Sequence, residues 1–482
     1  MLSGLRGAGC GESGLQRGVE QARRGHLPVL QGRVGGGLEV KTEEILDEIT
    51  PTDEEHTQEM KLVERVFRIL EDYEVEPILV GSLAKDTDLS GNKDIDIFIQ
   101  FRKDVKRDVL EREGLRIGKE VFAKLGVGYE IDYAEHPYVK GFFEGNEIEI
   151  VPCYKGRDIM SAVDRTPLHT RYVKDRLAKK PLKGDIRLLK QFMRGAGVYG
   201  AEAKVEGFSG YLVEILVLHY GSFVKVLEAA REWSVPEILD PEGLWDDPEG
   251  LGRFFTDACL IVVDPVDRSR NVAAAVSPES LSRFIVRAND YVMKPGREFF
   301  FPPEKPMREV EELRDSMLGR GSRFAGLVFR HGLLNVNTLY AQLRKTTRHI
   351  VKEFEHAEFK VFRSSFWTNE RDTSVIMMEF AVWELPELVH HLGPPIDLDA
   401  VHQERFTEKY KDESPYVRDG RWVVDTRRKH RFVGELLDEV ISERRGFGKN
   451  FREMGEPEVL FDESLLELDC EGWLKELNGY LG

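Results

Sequence analysis

No stretch of about 18 uncharged apolar residues occurs in this chain of 482 residues, so no membrane-spanning helix is expected. Cysteine is scarce: Cys10, Cys153, Cys259 and Cys470 lie far apart, with no CxxC pair. That argues against a structural zinc site and a disulfide framework and suits a reducing cytoplasm. Cys153 reads as a small buried apolar residue. Positive charge is in deficit, with 69 Lys and Arg against 86 Asp and Glu for a formal charge of −17. A nucleic-acid partner normally shows as a basic surface, so the global balance argues against one and only its distribution can argue for one. Lysine and aspartate are missing from residues 1–40, which are rich in glycine and arginine. Such a segment builds no core and is expected to be a disordered extension. It lacks the apolar stretch of a signal peptide, and the native chain is expected to begin near Leu38 or Val40, from a mis-assigned start. Internal repeats of solenoid type are also missing.

What is present is chemically pointed. An apolar run, Pro77-Ile78-Leu79-Val80, leads into Gly81-Ser82, and then Asp94-Ile95-Asp96 opens a second run, Ile97-Phe98-Ile99. Side chains alternate along a strand, so Asp94 and Asp96 share a face. Two carboxylates on one sheet edge repel unless a cation sits between them, and Mg²⁺ takes hard oxygen ligands shared with substrate phosphates. A DxD at a strand end is also met as a merely solvated edge. The Gly-Ser turn favours the chemical reading: glycine lets backbone amides approach a phosphate, Ser82 adds a hydroxyl and Lys85 a counter-charge. This is the pattern of a nucleotidyl-transfer site. A third acid is expected on a neighbouring strand. Glu144-Gly145-Asn146 reads as a hairpin turn, after which Glu147 and Glu149 share one face and Ile148 and Ile150 the other. Glu149 lies deeper in the strand and is preferred; Glu147 competes.

Order is expected from Lys41 onward. Helical spacing runs through Glu55–Tyr73, strands are expected near 77–80, 95–100, 127–134 and 147–151, and a helix near 104–125. This gives an α+β head over 41–160, followed by a mostly helical neck over 161–290. From 291 to 482 a strand at 324–329, a helix at 335–357 and strands at 359–365 and 374–384 suggest a ferredoxin-like or RRM-like unit. A hairpin is expected to turn at Asp419-Gly420. Basic residues cluster from Arg171 to Arg194, where only Asp175 and Asp185 oppose nine cations; such a patch binds phosphate backbones or is simply a solvated helical face. Further sets are Arg344, Lys345, Arg348 and Lys352, the run Arg427-Arg428-Lys429 with Arg431, and Arg444, Arg445, Lys449 and Arg452.

The chain resembles the archaeal, class I CCA-adding enzymes, tRNA nucleotidyltransferases of the pol β superfamily. The resemblance is carried by YAEHPYVKG (Tyr133–Gly141), EIVPCYK (Glu149–Lys155), SAVDRTPLH (Ser161–His169), RLLKQF (Arg187–Phe192), GVYGAEAKVEGFSGYLVE (Gly197–Glu214) and VVDPVDRSRNVAAAVS (Val262–Ser277). It implies a pol β-like palm, a helical neck and a C-terminal tRNA-binding body and tail. It implies metal-binding catalytic acids at Asp94, Asp96 and Glu149, and nucleotide contacts at Ser82, Lys85, His169, Lys190 and Tyr199, with Arg270 reading the base. The third acid is here a glutamate, one methylene longer than aspartate. Where the family often has arginine, Lys85 presents a point charge. The implied activity is template-independent addition of C, C and A to tRNA from CTP and ATP, through a two-metal Mg²⁺ site, by a cytoplasmic homodimer. The alternatives are a poly(A)-type or oligoadenylate synthetase-like transferase and, in another class, a catalytically dead tRNA-binding protein. Read without the resemblance, His169 could instead cap a helix, and Tyr199 could be a core aromatic.

Overall fold

The computed structural model describes residues 42–133, 135–156 and 158–482; the expectations for residues 1–40 lie outside them. Thr52 starts the first long helix. Its hydroxyl accepts from Glu55 N, and the Glu55 carboxylate accepts from Thr52 N in return, the reciprocal cap that fixes a helix entry. The helix Asp53–Leu70 buries Leu62, Val63, Val66 and Leu70. Against it lies a five-stranded sheet built from β1 (Glu76–Leu79), β2 (Asp94–Phe101), β3 (Glu130–Tyr133), β4 (Pro137–Phe143) and β5 (Asn146–Tyr154), in the order β1-β2-β5-β4-β3. Only β2 and β5 run parallel.

Alternation along β2 sorts its residues. Ile95, Ile97 and Ile99 enter the core shared with Asp53–Leu70 and the helix Arg107–Leu125, so Asp94 and Asp96 point to the other face. On that face Phe98 packs with Val80, Val151, Cys153 and Val163; Cys153 is indeed a buried apolar side chain. β4 and β5 are joined at Glu144-Gly145, where φ is 49° and 80°. Two positive φ values make the tight hairpin turn that the sequence suggested.

The segment expected to be mostly helical contains the helices Arg165–Leu177, Lys183–Gly195, Gly210–Tyr220, Phe223–Ala230 and Pro278–Met293. Phe192 centres their packing, with the rings of Phe223, Phe284, Tyr291, Phe299 and Phe300 at 5.5–6.3 Å. The segment also holds a sheet, β6 (Glu237–Leu239), β7 (Leu260–Asp264) and β8 (Asp267–Asn271), absent from the expectation. β7 is buried at every position, and a short, fully buried apolar run cannot be told from a buried helix by periodicity. Among the described residues no single helix is long and apolar enough to cross a membrane; Gly210–Tyr220 and Phe223–Ala230 meet at 92° and bury most of their apolar side chains in the protein.

The C-terminal part fulfils the β-α-β-β expectation and extends it. β9 (Arg323–Arg330), the helix Val336–His356, β10 (Val361–Thr368) and β11 (Thr373–Phe380) are joined much later by the helix Val433–Ser442 and β15 (Glu458–Phe461). The sheet order is β10-β11-β9-β15, antiparallel throughout. Numbered within the unit this is 4-1-3-2, two interleaved βαβ units of the ferredoxin type. Between them stands a separate sheet of β12 (Leu388–Pro395), β13 (Tyr416–Arg418) and β14 (Arg421–Arg427). Its β13–β14 hairpin turns at Asp419-Gly420, both with positive φ.

Candidate active site

β2 and β5 pair so that Asp94 stands beside Glu147 and Asp96 beside Glu149. All four carboxylates line one cavity of about 430 Å³, together with Gly81, Ser82, Lys85, Asn92, His169, Lys190, Tyr199, Tyr211 and Glu214. Eight of the nine residues singled out in the sequence meet there. The ninth, Arg270 on β8, does not line the cavity but is tied to it through Asp264.

Gly81 and Ser82 begin a one-turn helix, Gly81–Lys85, instead of a bare turn. Gly81 has φ of +71°, and a Cβ there would lie 1.8 Å from Asp96 Oδ2. Only glycine suits both the backbone angle and the approach.

The acids strain against one another. Burial first, then the charges of Asp94 and Glu147, push Asp96 up to about 6, with Lys85 offsetting part of the rise. Burial and Asp96 push Glu149 up to about 7, although Tyr138 Oη donates to Glu149 Oε1 at 3.1 Å. A bound cation would relieve this repulsion. The donor set, all carboxylate oxygens facing an open cavity, suits a hard ion that keeps water and substrate oxygens as its other ligands. Among the described residues no three His, Cys, Asp or Glu side chains form a ready-made metal cage; an ion held by these carboxylates would keep water or substrate oxygens as further ligands.

Across the cavity the two lysines share a carboxylate that sequence reasoning missed. Glu214, fully buried on the helix Gly210–Tyr220, accepts from Lys85 Nζ at 2.7 Å, Thr87 Oγ1 at 2.6 Å and Lys190 Nζ at 3.4 Å. Lys190 also donates to Thr87 O at 2.8 Å. Burial alone would raise Glu214, but Lys85 and Lys190 hold it below its usual range; burial lowers Lys190 against the pull of Glu214. One signal was available: Glu214 is the lone acid in the apolar run GYLVEILVL, and a buried acid requires partners.

His169 lies within the helix Arg165–Leu177 and does not cap it. Its ring stacks on Tyr211 at 3.8 Å, and its Nε2 is 2.8 Å from Asp264 Oδ2. Burial holds it below the usual histidine range. Tyr199, pushed up to about 12 by burial, has Arg194 over its ring at 5.4 Å and its hydroxyl against Gly210.

The basic segments divide sharply. Of the nine cations between Arg171 and Arg194, Lys183 and Arg187 bond Asp86, Lys190 bonds Glu214 and Arg176 bonds Glu242. Lys174, Lys179 and Lys180 remain exposed, without a partner among the described residues. Arg427, Arg428, Lys429 and Arg431 are matched to Glu387, Glu358, Glu439 and Glu384, and Arg445 to Glu353 and Glu443. By contrast Lys345, Arg348 and Lys352 stand exposed on one face of Val336–His356, beside a cavity of about 340 Å³ that Arg344, Glu206 and His349 also line.

A five-stranded head with paired acids on adjacent parallel strands, facing two lysines, defines a nucleotidyltransferase. Residues 60–175 match the family described as "Nucleotidyltransferase domain", residues 184–301 "tRNA nucleotidyltransferase, second domain" and residues 320–460 "CCA-adding enzyme, C-terminal domain". The "CCA-adding enzyme" of Methanothermobacter thermautotrophicus is 39% identical over 419 residues, 84% of this chain and 89% of that protein. That of Methanocaldococcus jannaschii is 33% identical over 458 residues, 92% of this chain and 98% of that protein. The chain belongs to the archaeal CCA-adding enzyme family, the tRNA nucleotidyltransferases.

Proposed function

We propose that this chain adds C, C and A to the 3′ end of tRNA, without a nucleic-acid template, using CTP and ATP and releasing pyrophosphate. Asp94, Asp96 and Glu149, on adjacent parallel strands and facing two lysines across one cavity, carry this assignment. The family's dependence on a divalent metal is read here as two Mg²⁺ ions, which Asp94, Asp96 and Glu149 would hold. Bound there, the metal would lower the pKa of the tRNA 3′-hydroxyl and steady the departing pyrophosphate. Glu149 is the better third ligand, because it stands beside Asp96 and is oriented by Tyr138, whereas Glu147 stands beside Asp94.

Ser82 donates to the triphosphate. Lys85 and Lys190, held by Glu214, supply positive charge to balance what builds on the phosphates. His169, fixed against Tyr211, presents its ring to the same space. Tyr199 stacks on the sugar or base, and Arg270 reads the base edge with its remaining guanidinium donors. The head over 41–160, the neck over 161–290 and the body and tail over 291–482 divide this work between chemistry, nucleotide and tRNA. The family likeness supports a cytoplasmic homodimer.

Incorporation of labelled CTP and ATP, separately and together, into tRNA ending at the discriminator base, at C and at CC tests the assignment. Two C additions, one A addition and then arrest are expected; extension with ATP alone would point to a poly(A)-type transferase. Asp96→Ala should abolish incorporation and leave tRNA affinity within about threefold, the behaviour of a group acting only in the chemical step. Substantial residual incorporation would reject the metal assignment.

A further inference from the structure

Asp264 ends β7, is fully buried, and has every acceptor position taken. Its Oδ2 lies 2.8 Å from His169 Nε2 and 2.7 Å from Arg270 Nη1. Its Oδ1 accepts from Tyr211 Oη at 3.2 Å and Val266 N at 3.1 Å. A carboxylate offers about four lone-pair directions, so this one is saturated by donors from two helices and its own hairpin. Burial alone would raise it, but His169 and Arg270 hold it below the usual carboxylate range. His169 and Tyr211 line the nucleotide cavity. Arg270, about one-third exposed, is tied to the site through Asp264.

Besides the bond from Val266 N to Asp264, three further bonds hold the hairpin. Arg165 Nε donates to Asp267 Oδ2 at 2.8 Å, Trp245 Nε1 donates to Arg268 O at 2.8 Å, and Asn271 Nδ2 donates to Leu260 O at 2.9 Å. β8 is therefore held by more than Asp264, whose other three contacts fix side chains. A guanidinium carries five donors in a rigid fork and discriminates between acceptor patterns only when the fork is held still.

We infer that Asp264 is the positioning residue for base selection: it orients Arg270, and with it the His169–Tyr211 stack, toward the incoming nucleotide. This rests on the base-reading role proposed for Arg270. Asparagine at 264 keeps the shape but replaces one acceptor oxygen with a donor, which must face either His169 and Arg270 or Tyr211 and Val266. The arginine then samples several rotamers, and pyrimidines that differ only at their Watson–Crick edge become harder to tell apart.

The test measures kcat/KM for CTP and UTP on tRNA ending at the discriminator base, in the wild-type chain, Asp264→Asn, Arg270→Ala and the double variant, each checked for its melting transition and tRNA affinity. Asp264→Asn should lower the CTP/UTP ratio at least tenfold. In the CTP/UTP ratio the double variant should match Arg270→Ala, because Asp264 sets base choice through the arginine, while any loss through the His169–Tyr211 stack falls on both nucleotides alike. A purely structural role would lower both nucleotides together and leave the ratio unchanged. Asp264→Glu keeps the charge and moves it by one methylene; it should also lower the ratio, and it serves where Asp264→Asn does not fold. A folded Asp264 variant with the wild-type ratio overturns the inference while leaving the role of Arg270 intact. Retention of the ratio by Arg270→Ala overturns the base-reading role and the inference with it.

Discussion

A methyl group on Gly81 would sit 1.8 Å from Asp96 Oδ2, on a backbone with φ of +71°. The first turn after β1 is thus pressed directly onto Asp96, one of the acids proposed to hold the metal. Gly81→Ala should cut nucleotide addition by about a hundredfold, the scale of a 1 Å misplacement at a reacting centre, while leaving tRNA affinity unchanged; near-normal turnover would mean that Asp96 tolerates displacement. Glu59 offers a test free of the site. It is buried on Asp53–Leu70, and its Oε2 has no hydrogen-bond partner among the described residues. Burial first, then Asp88 and Glu55, push it from 4.5 up to about 7, with Lys93 opposing. A raised carboxyl pKa costs nothing below 4.5, costs progressively more from 4.5 to 7, and costs its full amount above. Glu59→Gln should therefore stabilise the protein by on the order of 2 kcal/mol at pH 8 and by little at pH 4.5, as read by denaturant melts; an equal effect at both pH values would show that Glu59 titrates normally. At this scale the sequence was legible where chemistry is local. Gly81, Ser82, Asp94 and Asp96 stand within one short segment, and strand alternation alone aims both aspartates. Glu214 and Asp264 were not assigned, because their partners lie 129 and 95 residues away and no periodicity records such pairings.

The helix Arg107–Leu125 lies close on β4 and β5 because two of its glycines admit the sheet. A Cβ at Gly114 would meet Pro152 at 2.5 Å, and one at Gly118 would meet Val139 at 2.7 Å. Ile148, Ile150 and Pro152 face this helix, so the opposite face of β5 carries Glu147 and Glu149. Helix propensity alone favours alanine over glycine by about 1 kcal/mol. Val139 is fully buried and has no room to yield, and overpacking of this kind typically costs about 1–3 kcal/mol. Gly118→Ala should therefore lower the melting temperature despite its better propensity; a rise would show that the helix can lift from the sheet without loss. Elements read well from sequence where period and turn chemistry agreed, as at the Asp419-Gly420 hairpin and the strands around Asp96. They read poorly at β7, where full burial erased the alternation that marks a half-exposed strand, and at β8, whose polar sequence DRSRN carries no apolar alternation at all.

At the scale of the whole molecule, an acidic protein has to hold a polyanion. The ferredoxin-like order was only half legible, because its fourth strand, Glu458–Phe461, follows a long excursion containing the β12-β14-β13 sheet. The charge pattern was less legible still, since a sequence lists cations without their partners. The formal charge is −17, yet affinity for phosphate depends on which cations remain unpaired at the surface. Arg427, Arg428 and Arg431 look as basic in sequence as Lys345, Arg348 and Lys352, but the first set is matched by glutamates and the second stands exposed beside a cavity. Replacing Lys345, Arg348 and Lys352 together by alanine should weaken tRNA binding and reduce the slope of log affinity against log salt by about 2–3, close to one per lost phosphate contact. Replacing Arg427, Arg428 and Arg431 should change that slope by less than about 1, because each releases a glutamate rather than a phosphate. Titrations of tRNA binding from about 50 to 200 mM salt, a range over which several phosphate contacts change affinity by orders of magnitude, separate the two sets. Equal slopes for both triple variants would mean that tRNA displaces the glutamates, and that the resting ion pairs do not define the RNA-binding surface.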